Sequence, residues 1–471
     1  MSIQVYNTLT GRLEPFQPFS GDKANVYVCG PTVYDYSHIG HARTYLSFDI
    51  IIRYLEYKGY KVTYVVNITD IDDKIINRAK ETHEDPLSLS KRFEQAFFED
   101  MKGFHLRPAN FYPRVSDHMQ DIIAMVRDLI RKQFAYEVDG DVYFDVTKIR
   151  DFGKLSHQSL DQMMAGARVE IDRKKKSPYD FALWKHTGED EPGWESPWGR
   201  GRPGWHMECS AMSMKYLGPQ LDIHGGAKDL VFPHHENEIV QSESYTGKKP
   251  FVKYWIHTGF LTINGQKMSK SLGNFITIRD LLKKHSPESF RLFVLSTHYR
   301  RPVDFSEDGL IQAKATLERM YETRDRLDNL VKSHDYKESS PKDEERLLEE
   351  VSEAREKFLM GMDNDFNSAI ALASFHHLIR LGNKIVDLKP SKKVIEIALN
   401  TINELGWVFG LFRQEKKGSV VSNDVKALIE ERDKARKRRD WKKADEIRER
   451  LRKMGVTLRD SPDGTAIVVE S

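Results

Sequence analysis

Cysteine is nearly missing from this chain. Its 471 residues include two, Cys29 and Cys209, which cannot build a disulfide framework and do not form a C-x-x-C pair. Both are therefore either inert buried thiols or ligands. Long apolar runs are missing as well: none approaches the ~18 residues of a membrane span, and the N-terminus lacks the basic-then-apolar layout of a secretion signal. No membrane partner is expected, and the cytoplasm is the expected compartment. Net charge is almost absent, since 73 Lys and Arg face 71 Asp and Glu, so any contact with nucleic acid must come from local patches. The loop that follows Cys29 has neither the three spaced glycines of a dinucleotide fingerprint nor the lysine of a phosphate loop.

What is present is a pattern of strands and helices over a length sufficient for about three domains. Asn25 to Cys29 is a short apolar run ending at Gly30-Pro31, and from Ala42 to Lys58 apolar side chains occupy nearly every helical face until Gly59. Val62 to Val66 is β-branched. Strand, buried helix and strand predict a βαβ unit of a parallel sheet. The stretch VYVCGPTVYDYSHIGHAR, residues 26–43, then joins a strand's carboxyl end to a helix start, where α/β sheets hold ligands. A second strand, loop and helix run from Leu221 through His224-Gly-Gly to Pro233 and Glu238.

Between these units, Ser116 reads as the N-cap of an amphipathic helix, Asp139-Gly140 as a hairpin turn, and residues 150–200, rich in Gly, Pro, Lys and Trp, as an insertion. From Ser306 to Phe412 the pattern is one of long helices. Between Lys426 and Lys453 there are 13 Lys and Arg against 7 Asp and Glu, read as one basic helix that Gly455 ends before a closing hairpin. Trp441 falls on a helical stripe with Ala444, Ile447, Leu451 and Met454, which favours a core role over stacking on a base.

Four side chains suit a metal. His234 and Glu238 are four apart on a predicted helix and leave the same face. With Cys29 and Cys209 they offer two sulfurs, one imidazole and one carboxylate, a donor set in keeping with zinc. The competing reading is a pair of buried thiols beside a solvated helix face. A metal here would bind a substrate thiol as thiolate and reject the hydroxyl analogue by about 10⁴ to 10⁵. Lys267-Met-Ser-Lys-Ser271, flanked by Gly265 and Gly273, carries two compact cations of the kind that meet charge developing on departing pyrophosphate. A solvated surface turn is the alternative.

His38-Ile-Gly-His41 in combination with Lys267 to Ser271 resembles the paired signatures of class I aminoacyl-tRNA synthetases. Within that class, Cys29-Gly-Pro-Thr-Val-Tyr34, His38 to Arg43, Asn67-Ile-Thr-Asp-Ile-Asp-Asp-Lys74, Gly204-Trp-His-Met-Glu-Cys209-Ser-Ala-Met212, Asp222-Ile-His-Gly-Gly226, His234-His-Glu-Asn-Glu238 and Asp363-Asn-Asp-Phe-Asn367 resemble the cysteinyl-tRNA synthetase family over essentially the whole chain. The resemblance implies an α/β fold: a split Rossmann-like, parallel-sheet catalytic domain with an insertion, an all-α helical bundle, and a small C-terminal helix and hairpin domain. The expected boundaries are 1–115 and 201–250 for the two catalytic halves, 116–200 for the connective insertion, 251–305 for a lysine-loop region contacting the tRNA stem, 306–412 for the bundle and 425–471 for the basic tail.

The same resemblance implies the chemistry. L-Cysteine and magnesium-bound ATP give cysteinyl-adenylate, and the cysteinyl group passes to the terminal adenosine of tRNA(Cys). His38, His41, Lys267 and Lys270 are the expected catalytic residues, with His38, Gly40, His41 and Lys270 on ATP. Gly30, Thr69, Trp205 and Asp229 are expected to hold the amino acid. Cys29, Cys209, His234 and Glu238 fall on the family's zinc positions, one ion per chain, and a monomer is the expected working form. The rival readings are an ATP-dependent ligase that delivers cysteine to a small amine, which would not need 425–471, and a non-enzymatic zinc protein that binds RNA.

Overall fold

Four segments form the central sheet, and the site hangs on their order. In chain order they are β1 (Lys23–Val28), β2 (Lys61–Val66), β3 (Leu221–Ala227) and β4 (Val252–Thr258); in space they run β4-β3-β1-β2, all parallel. Val26, Tyr27, Val65, Ile223, Trp255 and Ile256 are fully buried, as expected for a parallel sheet covered on both faces. The two halves of the chain meet where β1 pairs with β3, Val26 opposite Ile223 and Val28 opposite Gly225. Because β2 and β4 lie on opposite sides of that pair, the strand order reverses there and a crevice opens beyond the carboxyl ends. The computed structural model describes residues 2–158, 174–268, 273–337, 339–413, 423–453, 456–461 and 464–469, divided between two units, Met1–Leu411 and Phe412–Ser471.

Helix α1 (Ile39–Tyr57) leaves β1 and is buried from Ile39 to Leu55 on nearly every face. It buries charge as well as apolar surface. Asp49 accepts from Arg53 Nε at 2.9 Å, Arg291 Nη1 at 2.5 Å and the Arg107 amide at 2.8 Å. The other two helices at the crevice are α2 (Trp205–Leu217) and α3 (Glu236–Thr246). The insertion carries its own antiparallel sheet of 135–138, 141–144, 181–186 and 201–203. Its first turn is Asp139-Gly140 with φ of +51° and +83°, the two positive values that a tight two-residue hairpin demands.

Several expectations shift. Residues 201–203 pair with 184–186 in the insertion's sheet, so the insertion extends past 200, and β4, expected in the lysine-loop region, completes the catalytic sheet. Ser116 is no helix cap: its amide and hydroxyl both bind Asp70, at 3.0 and 2.5 Å, and the helix begins at Met119 after a 3₁₀ turn. The bundle is α4 (Glu307–Ser333), α5 (Pro341–Asp363), α6 (Ser368–Leu388) and α7 (Lys392–Phe409). Ser306, Ser340 and Asn367 cap the first three through the amides of Gly309, Asp343 and Ile370. The turn Asp363–Asn367 clasps bundle to sheet domain. Asp363 accepts from Tyr54 at 2.7 Å and pairs with Lys58 at 3.0 Å, while Asp365 takes the Tyr6 amide, the Tyr299 hydroxyl and Arg300 Nε.

In the second unit the single basic helix is two, Asn423–Lys437 and Trp441–Lys453, broken where Arg439 takes φ +58°. The break makes Trp441 the first residue of its helix. It is 58% exposed, whereas Ala444, Ile447 and Leu451 are buried, so the core role preferred for Trp441 is corrected; Met454 lies outside the described residues. Strands Val456–Ser461 and Gly464–Val469 close the unit as an antiparallel pair. Among the described residues no helix is long and apolar enough to cross a membrane.

Burial pushes the Asp49 carboxyl up, but Arg291 and Arg53 outweigh it and hold the group below its ordinary value. A depressed folded value means that this pairing contributes fully above the ordinary carboxylate range near pH 4 and is lost as pH falls through the folded value. Asp49→Asn is expected to lower unfolding free energy by about 3–5 kcal/mol at pH 7, since two buried guanidiniums lose their partner. Urea titrations from pH 7 to pH 3 should also show a shallower acid decline in the variant.

Candidate active site

A cavity of about 370 Å³ lies in the crevice beyond β1, β2 and β3 and is lined by Cys29, Gly30, His38, His41, Thr69, Lys74, Trp205, Cys209, Asp229, His234, Lys267 and Met268, among others. Cys29 immediately follows β1 and donates its amide to Gly225 O at 3.0 Å. Cys209 faces it from α2, their sulfurs 3.8 Å apart. That is the edge of a tetrahedron with metal–sulfur bonds of about 2.3 Å. His234 Nε2 lies 2.8 Å from Glu238 Oε1, and one donor atom from each of Cys29, Cys209, His234 and Glu238 falls within 4.8 Å of every other. The spacing of four between His234 and Glu238 works although His234 sits in the wide turn before α3, where Phe232 leaves helical geometry.

Charge in this cluster is arranged for a cation. Burial raises the Cys29 thiol, and its hydrogen bond to Cys209 raises it further; Cys209 resists burial because Cys29 and His234 supply protons to it, and sits at about 6. Burial would lift Glu238, but His224 and His234 hold it at about 2, while Glu238 and Cys209 carry His234 against burial to about 10. A thiolate and a carboxylate therefore share one proton on His234, where a metal ion would displace it.

A second quartet overlaps the first: Cys29, His224, His235 and Glu238. His235 Nε2 lies 3.1 Å from Cys29 Sγ, and His224 Nε2 lies 2.6 Å from Glu238 Oε2. Both histidines are fully buried and neither lines the cavity. They back Cys29 and Glu238, and of the two quartets the one with Cys209 and His234 has three of its four members on the cavity. His206 does the same for His234, Nδ1 to Nδ1 at 3.0 Å. Composition gave no sign of these three histidines beyond their place inside quoted motifs.

Across the cavity, His38 caps α1. Its Nδ1 accepts from the amides of Gly40 at 3.1 Å and His41 at 3.3 Å, while His41 Nδ1 accepts from the His38 amide at 3.3 Å. The reciprocal cap leaves the ring proton of each on Nε2. The rings stack at 3.8 Å, 15° from parallel. Burial holds His38 at about 4, and burial with its charged neighbours holds His41 well below its ordinary value. Both are therefore neutral N–H donors at pH 7. A Cβ on Gly40 would come within 3.0 Å of the His38 ring and of Met268 Cε, so this approach requires glycine.

The expected amino-acid residues are all at the cavity but not all free. Gly30 gives its amide to Asn67 Oδ1 at 2.7 Å, and a Cβ there would sit 1.5 Å from Asn67 O; its requirement is close backbone approach. Thr69 gives its hydroxyl to the buried Glu208 at 2.7 Å, a residue the sequence reading passed over. Trp205 stacks on His234 at 4.2 Å and stays 36% exposed. Asp229 pairs with Lys267 at 3.5 Å, so in this structure the aspartate faces the lysine. Lys270 lies outside the described residues.

The family profile for the class I (C) tRNA synthetase catalytic domain matches residues 15–315, a DALR domain matches 357–413, and a cysteinyl-tRNA ligase anticodon binding domain matches 420–467. Among curated proteins, the cysteine–tRNA ligase of Thermococcus gammatolerans is 51% identical over 99% of this chain and 98% of its own length. That of Pyrococcus horikoshii is 49% identical over 98% of each. Among solved structures, the Mycobacterium tuberculosis methionyl-tRNA synthetase in complex with methionyl-adenylate aligns with a TM-score of 0.60 at 15% identity, covering 82% of this chain and 89% of that one. A leucyl-tRNA synthetase complex from Agrobacterium radiobacter K84 also gives 0.60, at 13% identity and with 84% and 86% covered; these two speak for the fold. With a catalytic-domain match over most of its length and half its residues identical to cysteine–tRNA ligases from end to end, the chain belongs to the cysteinyl-tRNA synthetase family of class I.

Proposed function

We propose that the cavity joins cysteine to ATP as cysteinyl-adenylate and then passes it to tRNA(Cys), with Cys29, Cys209, His234 and Glu238 as ligands of one zinc ion. The observation that carries this reading is that Cys29, Cys209 and His234 line the same cavity as the stacked His38 and His41, with the buried Glu238 carboxylate within 4.8 Å of their donor atoms. When bound, zinc would take the substrate side chain as a thiolate and so favour it over the hydroxyl of serine. Trp205 walls that pocket, and Thr69, fixed by Glu208, and Asp229 hold the amino acid's polar groups.

No side chain has to form a covalent bond. The substrate carboxylate attacks the α-phosphate of magnesium-bound ATP, and the chain contributes alignment and charge stabilisation. His38 and His41 direct Nε2–H groups to the phosphate oxygens, from an environment whose dry walls strengthen each hydrogen bond. Gly40 gives the adenine room against the backbone. Lys267, leaving Asp229, and Lys270 meet the charge on departing pyrophosphate. One chain supplies every one of these groups, which supports a monomer as the working unit, and the unbridged Cys29–Cys209 pair suits the reducing cytoplasm.

The bundle and the tail hold tRNA. Phosphate contacts by the Lys and Arg of 426–453 give affinity, and unstacked bases give identity. Exposed Trp441, with Arg438, Arg439, Lys442 and Lys443 around it in sequence, is available for stacking on a base.

Metal analysis and cysteine-dependent ATP–pyrophosphate exchange on one preparation test the assignment. The unsubstituted chain is expected to hold one zinc and to prefer cysteine over serine by about 10⁴ or more. Cys209→Ser is expected to lose the metal and at least about 100-fold in kcat/KM for exchange; full activity without metal would remove zinc from the reading. Trp441→Ala is expected to leave exchange unchanged and to raise the KM for tRNA(Cys) in aminoacylation by about tenfold, the worth of one stacked base.

A further inference from the structure

Arg43 follows the second signature histidine by two residues, and nothing in the chemistry above uses it. It is 1% exposed. Among the described residues no carboxylate lies within ion-pairing distance of it. Its guanidinium instead donates to four backbone carbonyls: Nη1 to Gly259 O at 2.6 Å and Phe260 O at 2.5 Å, Nη2 to Tyr299 O at 3.3 Å and to Arg301 O. Burial pulls it down to about 10, so it remains a cation at neutral pH. A buried charge without a counter-charge is costly unless its donors are satisfied. Here the carbonyls satisfy it, and they come from two separate segments.

Those segments form a wall of the active cavity. Gly259, Phe260, Leu261, Lys267 and Met268 line it together with His38 and His41. Leu261–Ile263 pairs with Val303–Phe305 on one side and Gln266–Lys267 on the other. At the root of this small sheet the backbones nearly touch: a Cβ on Gly259 would lie 2.5 Å from Arg301 O, and Gly259 donates to Tyr299 O at 2.8 Å. The planar fork of Arg43 enters there and grips both strands' approaches at once. Thr44 adds a contact to Thr258, hydroxyl to hydroxyl at 3.0 Å. On the far side, the Ile39 amide donates to Ile276 O and the Ile278 amide to Ser37 O, so the first turn of α1 holds residues both before and after the lysine motif.

We infer that Arg43 is a positioning residue for adenylate formation: by binding the carbonyls of Gly259, Phe260, Tyr299 and Arg301 it fixes the Lys267 wall of the cavity relative to the paired imidazoles on its own helix. The role rests on the reading of the cavity given above. It acts on the phosphate side of the reaction. The proposed metal ligands lie just after β1, on α2 and at or just before the start of α3, and the guanidinium's hydrogen bonds go to none of these.

The test is cysteine-dependent ATP–pyrophosphate exchange by Arg43→Met and Arg43→Lys, assayed at temperatures where thermal unfolding shows each chain folded. Arg43→Met is expected to lower kcat about 100-fold, the cost of misplacing a reacting group by roughly an ångström, with zinc content and the KM for cysteine unchanged. Arg43→Lys keeps the buried charge but has no fork to span two segments, so it should regain stability to a greater extent than kcat. If the methionine variant does not fold, the lysine variant alone decides, by a lowered kcat in a chain of near-normal stability. Wild-type kcat in either folded variant overturns the role, as does loss of zinc and of cysteine affinity in step with kcat, which would mark Arg43 as a general packing residue. Absence of cysteine-dependent exchange in the unsubstituted chain would instead overturn the reading of the cavity itself.

Discussion

The pairing of β1 with β3 is the contact on which the site depends. These strands belong to halves of the chain separated by the whole insertion, and their parallel register sets Val28 beside Gly225. That register brings the end of β1, with Cys29, against the helices that follow the insertion and β3, with Cys209, His234 and Glu238. A shift of one residue would turn Cys29 to the opposite face of the sheet and leave an imidazole, a carboxylate and a single sulfur. The convergence of the four donors is therefore a property of the sheet, and the loops around it need only present side chains from fixed points.

Around that centre the molecule buries polar and charged side chains against specific partners. Glu238 lies between two histidines, Thr69 rests on Glu208, Asp49 joins three donors, and Arg43 ends in carbonyls alone. Each costs desolvation that only a complete set of partners offsets. The result is a cavity whose walls have little freedom, which suits the proposed reaction, where alignment and charge stabilisation act without a covalent bond to the protein.

Much of this was legible in the sequence because local signals and the fold agree. The β-branched run 62–66, the apolar run 25–29, the turn at Asp139-Gly140 and the stop at Gly59 announce elements that the structure contains, and pattern alone places the signature residues on loops at strand ends. What stayed hidden is what backbone atoms do. The partners of Arg43 are carbonyls, which leave no mark on residue identity, and the place of β4 in the catalytic sheet depends on a neighbour about 30 residues earlier in the chain. Trp441 misled because its stripe is genuine for Ala444, Ile447 and Leu451, and only the break at Arg439 puts the tryptophan beyond it. His224 and His235 were read as motif letters; their work on Glu238 and Cys29 appears only when α3 is packed behind the strands.

The separation of the four donors has a consequence for biogenesis. Cys29 and Glu238 are 209 positions apart, so on a ribosome adding about 5–20 residues per second the first sulfur emerges some 10–40 seconds before the last oxygen exists. Throughout that interval the thiol has no partners from the second half. On the proposed zinc reading, capture of the ion by all four donors is therefore a late event in synthesis, and a nascent chain stalled inside the insertion would present a lone cysteine to whatever oxidant or soft cation the surroundings contain.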